Sequence, residues 1–94
     1  MSSYSDPRVT FRLGSAIQFI EDKVVYSKPK VAEVIRELEK LNEILEEEDR
    51  EVVKSWLDYL RNNYGSLDEL DPEDRKALVE DLGSMRESIA SKIK

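Results

Sequence analysis

The chain has no cysteine and no histidine. Disulfide staples, thiol nucleophiles, Ser-His and Cys-His pairs and the ordinary zinc sites are thereby excluded, and with them the chemistry of most familiar enzymes. Long apolar runs are missing too. The longest uncharged stretch of helical character, Leu13 to Ile20, falls far short of the ~20 residues needed to cross a bilayer. Glycine and proline are scarce, three of each in 94 residues, so few positions interrupt a helix. The opening Met-Ser-Ser-Tyr-Ser-Asp-Pro has neither the basic start nor the apolar run of a secretory signal, and the expected location is cytoplasmic.

What is present suits a helical protein. Hydrophobic residues make up 39% and charged residues 38%, enough well-spaced aliphatics for one core in a single domain over residues 1–94, with residues 1–6 as a flexible amino-terminal tail. Abundant Glu and Lys beside a single Gln and three Asn match the composition associated with proteins from hot environments. No internal repeat is visible.

Four amphipathic segments emerge. Val9, Leu13, Ile17, Ile20 and Val24 share one face of a helix from about Pro7 to Tyr26. A competing start exists there, because Val9, Phe11 and Leu13 alternate like a strand and Ser15 with Gln18 could form a capping box. Val31, Val34, Ile35, Leu38, Leu41 and Leu45 mark a second helix beginning near Pro29. After the acidic cluster Glu46 to Glu51, where a tight turn capped by Asp49 is expected, Val53, Leu57, Leu60 and Tyr64 mark a third. It stops at Asn63-Tyr64-Gly65, read as a left-handed C-cap. Leu78, Leu82, Met85, Ile89 and Ile93 define a fourth after Asp71-Pro72. Helices this short need mutual packing, so the expected fold is an all-α, small antiparallel bundle of four helices; fusing the second and third into one rod gives a three-helix alternative.

The net charge of -6 opposes indiscriminate binding to nucleic acid or anionic membranes. It is unevenly spread. Residues 1–30 carry five basic and three acidic side chains, or +2, residues 31–60 carry -6 and residues 61–94 carry -2. Along one side of the first helix, Arg8, Arg12, Phe19, Lys23 and Tyr26 interleave cations with rings, which is what contact with a nucleic acid requires. The alternative is that Phe19 and Tyr26 widen the core while the cations pair with the acids of neighbouring helices. A second candidate surface lies on the third helix, where Val52, Trp56 and Tyr59 extend the apolar arc beyond what a small bundle needs. Trp and Tyr are favoured interface anchors; the alternative is that the sole tryptophan of a small domain is at least half buried in its own core. Phe11 points away from the core stripe of a continuous first helix and joins these as a partner-binding candidate.

Candidate chemistry is sparse. Ser88 and Lys92, four residues apart, are the one obvious hydroxyl-amine pair, and they stand near a carboxyl terminus where the lysine stays protonated. Glu47-Glu48-Asp49-Arg50-Glu51 resembles the Glu-Glu-x-x-Glu element of the all-α nucleotide pyrophosphatases related to MazG. The resemblance spans five residues and implies carboxylates that hold magnesium on a bundle helix, beside a Glu-x-x-Asp element further along. The nearest counterparts, Asp68-x-x-Asp71 and Asp71-x-x-Asp74, depart from that pattern and fall at a connection and a helix start. In size and Glu/Lys-rich helical character the whole chain is similar to small accessory subunits of archaeal nucleic-acid machines, such as the one attached to a family B replicative DNA polymerase.

The resulting expectation is a non-catalytic protein-protein interaction module without cofactor or metal, a small acidic accessory subunit or adaptor of a larger intracellular complex. Its alternatives are an accessory subunit of a replication, repair or transcription complex touching DNA or RNA through the first helix and, more remotely, the carboxylate-metal pyrophosphatase. A larger protein is the expected partner, a homodimer is a further option, and no membrane is involved.

Overall fold

A computed structural model describes residues 6–91, in which four helices form a small bundle. They are α1 (Pro7–Tyr26), α2 (Val31–Ile44), α3 (Arg50–Asn63) and α4 (Pro72–Ser91), with one 3-10 turn at Glu47–Asp49. Residues 1–5 of the expected tail, Ile93 and Lys92 lie outside the described residues.

The ends of these helices follow from local chemistry. Asp6 caps α1: its Oδ1 accepts the Arg8 N–H at 2.9 Å, and Pro7 opens the helix where no N–H is needed. With that cap in place α1 runs unbroken, and neither the strand-like alternation nor the capping box at Ser15 is realised. The reversal into α2 passes through Lys28 in the left-handed region (φ 47°), a conformation costing roughly 1 kcal/mol for a residue with a Cβ. At the start of α2 the Lys30 N–H donates to Glu33 Oε2 at 2.9 Å, which holds the Glu33 carboxyl below its ordinary pKa. The next two N–H groups go to a distant loop, Val31 to the Asp68 carbonyl (2.8 Å) and Ala32 to the Ser66 carbonyl (3.0 Å). The connection between α3 and α4 thus caps α2.

The acidic cluster breaks the rod. Leu45 is extended after α2, and Arg50 Nε donates to its carbonyl at 2.9 Å, satisfying an acceptor that the helix end leaves open. Asp49 occupies the N-cap position of α3 but its side chain makes no capping hydrogen bond, contrary to the expected turn chemistry. The left-handed C-cap after α3 is also not found. Tyr64 is extended (φ -133°, ψ 150°) and no described glycine has a positive φ. The reason lies in Tyr64 itself: the extended backbone turns its ring onto the core and its hydroxyl onto Asp74.

Leu13, Ile17, Ile20 and Val24 of α1 meet the buried stripes of α2 and α4, and α2 in turn packs on α3. Every expected core residue among the described ones is buried or partly buried, including Val9, Ile35 and Tyr64 at the margin. Pro29 and Leu70, both in connections, are buried as well and were invisible to helical periodicity. Between α1 and α4, Arg86 Nη1 lies 2.8 Å from Glu21 Oε1 and donates to Gln18 Oε1 at 3.1 Å, so the one buried carboxylate described has its cation.

Leu13 and Phe11 make a paired test of this packing. Leu13→Ala, at a fully buried site, should lower the urea-derived stability by about 2–5 kcal/mol. Phe11→Ala, two residues away and exposed, should change it by no more than about 0.5 kcal/mol.

Candidate functional site

The first candidate surface is the outer face of α1. On a helix that buries Leu13, Ile17, Ile20 and Val24, the positions about 160–240° away carry Phe11, Ser15, Phe19, Asp22 and Tyr26. Phe11 is 77% exposed, Phe19 54% and Tyr26 82%. The expectation that Phe19 and Tyr26 widen the core is therefore overturned, since they stand on the far side of the helix from it, whereas the pairing of α1 cations with acids of a neighbouring helix is met by Lys23 and Glu33. Along the axis the rings are spaced by about 12 Å and about 10 Å. Between Phe11 and Phe19 lies a hollow of about 480 Å³ whose lining includes Gly14, Ser15, Gln18 and Asp22.

The cations of this helix are partly engaged. Lys23 Nζ sits 5.6 Å from the Phe19 ring centre and 3.7 Å from Glu33 Oε1. Arg8 pairs with Asp6 at 3.3 Å, whereas Arg12 is exposed and has no ion pair among the described residues. All five residues singled out for nucleic acid are on or beside one face, with Phe11 in the same row.

The second surface lies between α3 and α4. Val52 and Tyr59 are about 40% exposed, and Trp56 is half-buried against the core. The polar tips of the rings are used within the fold. Trp56 Nε1 donates to Asp81 Oδ2 at 2.7 Å, and the hydroxyls of Tyr59 and Tyr64 both donate to Asp74. The rings meet edge-on in sequence, Trp56 to Tyr59 at 5.7 Å and Tyr59 to Tyr64 at 6.4 Å. Sequence periodicity placed Val52, Trp56 and Tyr59 beside the core line of α3 but could not reveal Asp74 and Asp81, which lie on another helix. Burial, together with the Asp74 carboxylate, pushes the Tyr64 phenol up to about 12, and the Asp74 hydrogen bond raises Tyr59.

The acidic turn has a different geometry from a bundle metal site. Glu46, Glu48 and Asp49 bring one carboxylate oxygen each within 4.8 Å of one another at the head of α3. Asp68, Asp71 and Asp74 come after the other end of that helix in the chain, and Asp74 lies beside Tyr59 rather than beside the acidic turn. Asp68 accepts the Gly65 N–H and Asp74 the two tyrosines, so the two acidic elements do not converge. Ser88 is exposed on α4, and its expected partner Lys92 is outside the described residues. No helix of the described chain is long and apolar enough to cross a membrane. No family model, curated protein or solved structure matches the chain.

Tyr64 supplies a test of the α3–α4 tether. Its phenol ionises near 10 when unfolded and about 12 when folded, so above pH 10 the unfolded chain releases the proton first. Its contribution is complete below pH 10 and is lost as the pH rises towards 12. Urea midpoints measured across that window should fall less steeply in Tyr64→Phe than in the parent chain.

Proposed function

We propose that the chain is a non-catalytic protein-protein interaction module, a small acidic accessory subunit or adaptor that docks on a larger protein through the outer face of α1. One observation carries this reading: Phe11, Phe19 and Tyr26 form a solvent-facing row on a helix whose opposite face already supplies the core. Large rings in water contribute little to a monomer's stability, and their transfer into a partner's pocket yields the area that anchors interfaces. Gly14 adds support. A Cβ there would meet nothing within 4 Å, so the fold does not require glycine, yet glycine weakens a helix interior by roughly 0.5–1 kcal/mol. Its place on the floor of the hollow between Phe11 and Phe19 suits close approach by a partner.

A second reading rests on Arg8, Arg12 and Lys23 beside those rings: the same face contacts DNA or RNA within a larger assembly, by stacking and phosphate pairing. Salt separates the two. Direct contact through a few cations loses affinity steeply with ionic strength, whereas an apolar interface does not.

The test is affinity recovery of a tagged chain from its native cells with nuclease treatment and a high-salt wash, run beside Phe11→Ala/Phe19→Ala/Tyr26→Ala. A stoichiometric protein should survive both treatments and be lost with the triple variant, whose far-UV circular dichroism and Tm stay at the parent values. Recovery that depends on intact nucleic acid would favour the second reading. Retention of the same protein by the triple variant would remove α1 as the docking face.

A further inference from the structure

Sequence neighbours α3 and α4 stand further apart than the other packed pairs of the bundle, and small residues face the gap. Ser55 on α3 looks across to Ser84 and Ser88 on α4, and the bridging is left to the Trp56–Asp81 and tyrosine–Asp74 hydrogen bonds. On one side of Trp56 this leaves a hollow of about 480 Å³ with Val52, Trp56 and Met85 as its apolar surface and Glu48 and Asp49 at its end. On the other side, a second hollow of about 400 Å³ continues past Tyr59 to Asp74.

The channel has one sign of charge. Glu48, Asp49, Asp74 and Asp81 line its two hollows, and neither contains a lysine or arginine. Asp74 and Asp81 accept hydrogen bonds from neutral tyrosine and indole donors, which leave their negative charge uncancelled, and neither takes part in an ion pair among the described residues. The cations of α3 lie on its other flank, where Arg61 is drawn to Glu39 of α2 at 2.8 Å. An apolar floor with acidic rims therefore runs for about 16 Å between Glu48 and Tyr59, about three helical turns.

We infer that the channel between α3 and α4 docks a lysine- and arginine-bearing amphipathic helix of a partner protein. The helix lays its apolar residues on Val52, Trp56 and Met85, and its cations meet Asp74 and Asp81. A helix suits these walls better than an extended strand, because the helical backbones on either side have no free edge to pair with, while a helix satisfies its own backbone. Charge complementarity sets the partner's chemistry. This surface is separate from the α1 face, so the chain joins two partners.

The test uses the full chain, labelled with nitrogen-15, and a synthetic amphipathic Leu/Lys helix of about 14 residues at about 0.1 M salt. The sole tryptophan gives one indole N–H signal. That signal and the Ser55, Ser84 and Ser88 amides should shift saturably. Ser84→Leu, which fills the channel from an exposed position, should abolish the response, and Asp81→Asn should weaken binding about tenfold. Phe19→Ala should leave it unchanged, which keeps the outcome independent of the α1 docking face. Absence of saturable binding, equal binding of a Leu/Glu peptide, shifts centred on α1, or full affinity in Ser84→Leu would each overturn the inference.

Discussion

The buried stripe of α1 organises the bundle. Leu13, Ile17, Ile20 and Val24 are the surface against which both α2 and α4 pack, and α3 reaches the core chiefly through α2. Because no helix of this length is stable alone in water, loss of that stripe would remove the reason for the others to fold. The Glu21–Arg86 pair fixes how α4 sits on α1, and the carbonyls of Asp68 and Ser66 fix where α2 begins. The connection between α3 and α4 thereby doubles as a cap, which gives a polar loop a structural role.

Two surfaces are left over from this arrangement, and they differ in kind. The outer face of α1 is aromatic, exposed and bordered by cations, some of them engaged by Asp6 and Glu33. The α3/α4 channel is acidic, and its aromatics are held by hydrogen bonds that keep the two helices in register without closing the gap. A chain that needed only to be stable could have filled that gap with leucines and replaced Phe11 and Tyr26 with polar residues. Neither substitution is present, and the two surfaces support the proposed adaptor: an exposed aromatic row on α1 and an acidic channel between α3 and α4, held apart by a small core.

Much of this was legible from spacing alone. The recurrence of aliphatics every three or four residues located all four helices and their core faces, because burial in a bundle is decided by which side of a helix a residue occupies. The same rule erred where a contact crosses between helices. It could not show that Trp56 is tethered by Asp81, nor that Tyr64 leaves α3 in an extended conformation to reach Asp74, since the partners lie 25 and 10 residues away. Phe19 and Tyr26 were ambiguous for a related reason. Hydrophobicity says that a ring would gain from burial, while only the positions of α2 and α4 decide whether burial is offered. Leu70 and Pro29, buried in connections without periodicity, had no signal in the pattern.

Helix α1 has two apolar faces, of which the fold uses one. The chain's two phenylalanines, both on the outer face, allow a direct measurement: nuclear Overhauser contacts from selectively labelled Phe rings to methyl groups, together with their relaxation by a water-soluble paramagnet. Both rings should show strong paramagnetic relaxation and no contacts to the methyls of Val34, Leu38, Leu78 or Leu82. Protected rings with contacts to those core methyls would contradict this division of the helix.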